Sequence, residues 1–225
     1  MNPLAERLDP ALSGIEPLVE KIGVILGNFE ATKTPSTDFK RILRGLLTAA
    51  HGELLSLREA LAMPLPMLAW STRNLLELLI WTKYVLDSKD KAERFAKDWL
   101  LDAIDILAAL RDWHISTGGK PEELSSTVTI LHGLEEQRIE WGITGERFLR
   151  VGRIARELGF SEEYDFCFPI CSKLIHPTSW SVLSMEKKLD ERAMRLVMLF
   201  RAVYYGGRLY CAINDHINSR GLVPK

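Results

Sequence analysis

The chain has 225 residues, of which 47% are hydrophobic and 26% are charged, and this composition excludes an intrinsically disordered protein. The formal net charge is −1, and residues 141–225 carry only 13 basic against 9 acidic residues, so no surface dedicated to DNA is indicated. A chain of this length can fold without disulfides or a structural metal, and we expect a single all-helical domain over residues 1–225, in which the first helix and linker, 1–35, can be peripheral.

Helical periodicity runs through nearly the whole chain, and the alternating apolar pattern typical of strands is absent from the sequence. The first predicted helix covers about residues 3–29, and Pro10 and Pro17 are expected to break or bend it. The second helix is predicted to begin at a cap formed by Ser36 or Thr37. Its end and the start of the central helix are marked by Ala62, Pro64 and Pro66.

Residues 67–86 are the most apolar run of the chain and are predicted to form its central helix. Arg73 and Glu77 are four residues apart, so both side chains lie on one side of this helix. Together with Lys83, they interrupt the run enough to argue against a membrane span. Three interpretations of the pair stay open: a buried ion pair that holds neighbouring helices in register, a polar pocket in which Arg73 binds an anion, and a solvated pair. In the pocket interpretation, Glu77 and Tyr84 also contact the ligand.

Five further helices are predicted after the central one. The fourth begins after Ser88 and ends at Gly118, and the fifth begins in the turn after Pro121. Thr144 is predicted to cap the sixth, and Pro169 is expected to kink or break the seventh. The sequence therefore predicts an all-α bundle of seven to eight helices. The remaining boundaries fall at Gly142, Gly159, Ser161, Pro177, Asp190 and Asn218.

The segment before Pro177 combines several groups with catalytic chemistry. Ser172 and His176 are one helical turn apart, and Asp165 lies seven residues before Ser172. A hydrolytic triad is not predicted, because three residues along one helix seldom form the required hydrogen-bonded chain with an oxyanion hole. Two interpretations stay open: His176 as a hydrogen-bonded helix terminus, or His176 with Ser172 as a ligand-contacting or acid–base site. Lys173, which lies between them, is a further candidate for ligand binding.

The cysteines and histidines give no pattern typical of a metal site. Cys167, Cys171 and Cys211 are odd in number and lack C-x-x-C spacing, and no H-x-x-x-H or E-x-x-H motif occurs. The glycine pairs of the chain also lack the spacing of a nucleotide-binding loop. We therefore predict neither a metal nor a cofactor. The cysteine content and the lack of a secretory signal pattern in the first ten residues favour a cytoplasmic protein.

Four arginines, Arg147, Arg150, Arg153 and Arg156, recur every three residues along the predicted sixth helix. They would spread over about half of its circumference. One interpretation is a solvated face. The other is contact with phosphate groups, because guanidinium groups donate bidentate hydrogen bonds.

The Arg73-x-x-x-Glu77 helix and the later Ser172-x-x-x-His176-Pro motif resemble those of a group of bacterial all-helical proteins near the HEPN-like superfamily, over residues 40–215. The resemblance implies a helical bundle that is often dimeric. Many HEPN-like proteins are metal-independent ribonucleases of toxin–antitoxin or phage-defence systems.

The catalytic mark of those ribonucleases is an arginine followed, after four to six residues, by a histidine. Arg44 and His51 match it with six intervening residues, whereas Arg208 and His216, on the final helix, have seven and do not. Two functional predictions follow from the resemblance. The first is a HEPN-like homodimer that binds a nucleotide, RNA or another anionic ligand in a polar pocket. The second is a metal-independent ribonuclease that uses His176, or Arg44 with His51.

Overall fold

The computed structural model describes residues 13–31, 38–60, 62–143, 149–176 and 191–220. These residues form α-helices and two short 3-10 helices, and none of them lies in a strand, so the all-α prediction is confirmed. The eight helices of the described part are α1 (Ile15–Ala31), α2 (Asp38–Ser56), α3 (Leu65–Asp87), α4 (Lys89–Ser116), α5 (Ser125–Glu140), α6 (Val151–Glu157), α7 (Ser161–Ile175) and α8 (Glu191–Arg220).

The chain divides into two compact units. Unit 1 is drawn from residues 1–88 and 151–225 and contains α1, α2, α3, α6, α7 and α8. Unit 2 is drawn from residues 89–150 and contains α4 and α5. The expected single domain over residues 1–225 stays a prediction.

Helix α3 is the central element of unit 1, because it contacts α2, α6, α7 and α8. It extends the predicted central helix by a few residues, with Pro66 in its first turn, where a missing amide costs no helical hydrogen bond. Ser88, which follows the last turn, has extended backbone angles. Apolar side chains with little or no exposure face the neighbouring helices from successive turns, among them Leu68, Leu75, Leu76, Leu79, Ile80 and Val85.

Helices α3 and α8 run side by side in the same direction. The Thr72 hydroxyl, which donates to the Leu68 carbonyl at 2.7 Å, lies 3.1 Å from the Met198 carbonyl oxygen. Further along, Lys83 and Gly207 line the same groove. Helix α7 runs in the opposite direction along α3, and its residues supply the polar contacts described below.

Two of the prolines for which a break or bend was predicted lie inside helices of unit 1. Pro17 lies in the first turn of α1, so it does not bend that helix. Helix α7 continues from Ser161 to Ile175 through Pro169 and is not broken, and a kink at Pro169 stays a prediction. The proline removes one helical hydrogen bond to the carbonyl of Asp165, and that residue is exposed, so water can replace the missing donor.

The sixth helix is shorter than the sequence predicts. It begins at Val151, because the Leu149 amide donates to the Asp98 carboxylate at 2.9 Å and Arg150 is not helical. The predicted row of four arginines is therefore wrong as a feature of one helix, since only Arg153 and Arg156 lie on α6. Several predicted positions lie outside the described residues: Pro10, Ser36, Thr37, Thr144, Arg147, Pro177 and Asp190.

Unit 2 has a small core of its own between α4 and α5, formed by Leu100, Ile104, Leu131 and Ile143. Asp98 is buried beside it and holds the amide of Leu149. Burial raises the pKa of Asp98 above its ordinary value of 3.8, while the Leu149 amide and the Arg94 charge act in the opposite direction. The folded chain therefore disfavours the ionised carboxylate.

Replacement of Asp98 by asparagine is expected to stabilise the chain slightly at pH 7, by less than about 1 kcal/mol, because it keeps the acceptor for Leu149 and removes a desolvated charge. Because the pKa of Asp98 is raised in the folded chain, the free energy of unfolding of the wild-type protein falls as the pH rises through that pKa. The gain should therefore disappear at about pH 3, below the ordinary pKa of 3.8, where the carboxyl is largely protonated in both the folded and the unfolded chain. Urea unfolding at the two pH values measures the difference. An asparagine variant that is clearly less stable than wild type at pH 7 would contradict this account.

Candidate functional site

Four side chains from two helices of unit 1 meet in what we call the Arg73 site: Arg73 and Glu77 from α3, and Tyr164 and Phe168 from α7. The Nε of Arg73 donates to the Glu77 carboxylate at 2.8 Å, and the two side chains are 23% and 25% exposed. The guanidinium lies 4.0 Å from the centre of the Phe168 ring, which stacks on Tyr164 with ring centres 4.8 Å apart. The pair is thus half-buried and fixed from two sides.

The two terminal nitrogens of Arg73 are the open part of this site. A guanidinium has five N–H donors, and the Nε donor is taken by Glu77. In the described part of the chain, neither Nη1 nor Nη2 has a hydrogen-bond partner, so four donors remain. These donors form the planar fork that binds a carboxylate or phosphate through two parallel hydrogen bonds.

Tyr164 adds a phenol to the site. Burial raises its pKa, and the negative charge of Glu77 raises it further, against the lowering effects of Arg73 and Arg156. The phenol therefore stays neutral and can donate a hydrogen bond. Gly152 on α6 permits this position, because a Cβ at that residue would lie only 3.0 Å from the Tyr164 ring.

The predicted residues at the end of α7 lie on the same helix as Tyr164 and Phe168 of the Arg73 site. Ser172 follows Phe168 by one turn and is half-buried, whereas Lys173 and His176 are exposed. The His176 amide donates to the Ser172 carbonyl at 3.0 Å. Across the described ranges, no hydrogen bond or ion pair joins the Ser172 or Lys173 side chain to the Arg73 site. The proposed ligand contacts or catalysis by Ser172, Lys173 and His176 stay predictions.

Three other predicted residues lie elsewhere in unit 1. Arg44 and His51 are two turns apart on α2, about 10.5 Å along the helix axis, with Arg44 exposed and His51 half-buried. Tyr84 is buried and packs edge-on against Trp81, with ring centres 6.2 Å apart. Tyr84 also lies two turns beyond Glu77. The nuclease pair and the Tyr84 ligand contact stay predictions.

A second polar site was not foreseen from the sequence. Arg208 on α8 donates to Glu163 at 3.3 Å and to the Tyr204 hydroxyl at 3.1 Å, and its guanidinium lies over the Phe160 ring. Beside it runs an open groove of about 400 Å³. The spacing of Tyr204, Arg208 and Cys211 along one helix face was the available signal. The groove is lined by Lys83, Val203, Tyr204, Gly207, Arg208, Cys211, Ala212 and Asp215.

Tyr164 and Phe168 were also missed, although they are four residues apart and therefore share a face of α7. That spacing was visible in the sequence. The identity of their partner on α3 was not, because it depends on how two distant segments pack.

No family model matches the chain, and no curated protein or solved structure matches it either. The resemblance to HEPN-like proteins and the expected homodimer therefore stay predictions. None of the described helices is both long and apolar enough to span a bilayer. Over the same residues, no three His, Cys, Asp or Glu side chains come together in a way that could hold a metal ion.

The half-buried state of the Arg73–Glu77 pair predicts an intermediate energetic effect. We expect Glu77→Gln to lower the free energy of unfolding by about 1–2 kcal/mol, less than a fully buried pair and more than an exposed one, because Arg73 keeps a neutral acceptor but loses its counter-charge. Urea unfolding gives the value.

The matched control is Glu93→Gln, which removes the carboxylate of an exposed pair of the same i, i+4 spacing, Lys89–Glu93. A change below about 0.5 kcal/mol is expected there. Equal losses in the two variants would show that Arg73 and Glu77 are solvated and do not form the fixed pair described above.

Proposed function

We propose that this protein binds an anionic ligand with a phosphate or carboxylate group at the Arg73 site, and that nucleotides and RNA belong to its ligands. The observation that carries the proposal is the guanidinium of Arg73, whose Nε is occupied by Glu77 while both terminal nitrogens lack partners in the described part of the chain. The choice of nucleotides and RNA rests on the resemblance to HEPN-like proteins.

The geometry around Arg73 favours recognition of an anion through oriented hydrogen bonds more than through net charge. Glu77 neutralises much of the positive charge, so a long-range attraction for anions is weak. However, the Glu77 hydrogen bond and the Phe168 ring hold the guanidinium in one plane, and this lowers the entropy cost of binding. The neutral hydroxyl of Tyr164, whose ring stacks on Phe168, supplies one more donor at the site. Such a site fits a single phosphate or carboxylate group better than a long polyanion.

Titration calorimetry with the purified full chain tests the proposal. The probes are inorganic phosphate, AMP and a short single-stranded RNA, all in EDTA, and adenosine serves as the control without phosphate. We expect AMP to bind saturably and adenosine to bind far more weakly. If adenosine bound as tightly as AMP, or if no phosphate-bearing probe bound at millimolar concentration, the proposed function would be wrong.

The same RNA samples also test the alternative prediction, a metal-independent ribonuclease. Cleavage of the RNA in EDTA would support that enzyme and would direct mutagenesis to His176, Arg44 and His51. Intact RNA together with saturable binding supports a binding protein.

A further inference from the structure

Three sulfur atoms meet in the core of unit 1, behind the Arg73 site. The thiols of Cys167 and Cys171, on consecutive turns of α7, are 3.7 Å apart, and the Cys171 sulfur lies 3.6 Å from the thioether sulfur of Met198 on α8. All three residues have no measurable exposure. We propose that this cluster, which we call the sulfur site, binds one Cu(I) ion. This proposal is independent of the anion-binding function.

The distances suit a metal better than a disulfide. Side chains at i and i+4 of a helix have Cβ atoms about 5–6 Å apart, whereas a disulfide needs about 3.5–4.5 Å. The bond would therefore require α7 to unwind. In contrast, metal–sulfur bonds of about 2.3 Å in a trigonal arrangement separate the sulfur atoms by about 4.0 Å. The two observed sulfur contacts, both to Cys171, need to widen by only a few tenths of an ångström, and the Cys167 and Met198 sulfur atoms must reach a similar separation.

The donor set selects the type of metal. Thiolates and thioethers are soft ligands, and they favour Cu(I) over oxygen-seeking cations. Zinc prefers four donors in a tetrahedron, and in the described residues no His, Asp, Glu or further Cys joins the two thiols. Cu(I) is stable with two thiolates and one thioether. The cluster thus has the number and kind of donors for that ion.

An unsatisfied hydroxyl beside the thiols supports the proposal independently. Tyr205 is fully buried, and its hydroxyl interacts with the Cys167 sulfur without making a well-formed hydrogen bond. A neutral thiol is a weak acceptor, whereas a thiolate is a strong one. Metal binding at Cys167 would therefore strengthen the contact between this hydroxyl and the Cys167 sulfur.

The nearby charges also suit the bound form. Arg201 acts electrostatically on Cys167 and Arg73 acts on Cys171, so two positive charges lie near the sulfur site. Binding converts Cu(I) and two thiols into a bis-thiolate complex of charge −1 and releases two protons. The two arginines offset that charge.

The test is an anaerobic Cu(I) titration of the full chain in competition with the chelator bicinchoninate. All variants carry Cys211→Ser, which removes the one exposed thiol. We expect this parent to bind one Cu(I) per chain and Cys167→Ala to weaken the affinity by at least about 100-fold, the upper end of what loss of an outer-shell partner costs. Met198→Leu should weaken it by about tenfold and keep the fold, because the two side chains have similar volumes.

X-ray absorption of the copper-loaded parent should show three sulfur neighbours, and that of Met198→Leu should show two. Thermal melting of each variant reports folding separately. The proposal is overturned if the parent binds no Cu(I), or if folded Cys167→Ala binds it as tightly as the parent. A Met198→Leu spectrum identical to that of the parent would exclude the thioether as a ligand.

Discussion

Replacement of Arg73 by glutamine is expected to weaken the binding of AMP by at least about 100-fold. The substitution removes the positive charge and both terminal nitrogens, which would make two charge-assisted hydrogen bonds to the phosphate. Each such bond contributes about 1.5–3 kcal/mol, and every 1.4 kcal/mol is a factor of about ten in the dissociation constant. Titration calorimetry under the conditions given above measures the loss.

Two control variants distinguish the contribution of the planar guanidinium to AMP binding. One tests positive charge alone, and the other tests the groove along α8. Arg73→Lys keeps the charge but not the planar fork, so we expect an intermediate loss of about tenfold. Lys83→Gln removes a cation that has no ion-pair partner in the described part of the chain and that lines the groove along α8. It should leave AMP binding unchanged. If Lys83→Gln weakens binding and Arg73→Gln does not, the ligand occupies that groove and the Arg73 site is not its binding site.

Replacement of Leu79 by alanine should have the largest effect on stability. Leu79 has no exposed surface and lies on α3, the helix that contacts four others in unit 1. The loss of the side chain and the cavity that it leaves should lower the free energy of unfolding by about 3 kcal/mol. Urea unfolding monitored by circular dichroism gives the value, and the melting temperature should fall by about 6–12 °C.

The matched control for this variant is Leu55→Ala on α2, where the side chain is 36% exposed. It removes the same atoms, and we expect a loss of about 1 kcal/mol or less, because little buried surface disappears. Similar losses at the two positions would contradict the central role of α3 in the core.

The sequence was sufficient to predict the central helix and its ion pair. Prolines before it and the long apolar run placed α3 within two residues of its observed start, and the four-residue spacing brought Arg73 next to Glu77. These features depend on local geometry, which periodicity reports directly. The sequence did not predict that Glu77 would use only the Nε donor, because this depends on the rotamers that α7 imposes.

Features that depend on the packing of distant segments were also not predicted, because local periodicity does not report which helices contact each other. The stack of Tyr164 and Phe168 against Arg73 requires α7 to lie antiparallel to α3, and helical periodicity does not specify that pairing. The start of α6 was wrong because Asp98, some fifty residues earlier, takes the amide of Leu149. A buried acceptor thus prevailed over local helix propensity.

The central claim is that Arg73 offers its terminal nitrogens to an anion while Glu77 holds its Nε. The most direct measurement is the NMR spectrum of guanidinium ¹⁵N–¹H signals in arginine-labelled protein, with the Arg73 signals assigned by their loss in Arg73→Lys. Without ligand, we expect a protected Nε–H signal and Nη–H signals averaged by rotation and exchange. At saturation with AMP, the Nη–H signals of Arg73 should slow and resolve, while Nε–H changes little. Saturation by AMP without any change at the Arg73 Nη atoms would contradict the account.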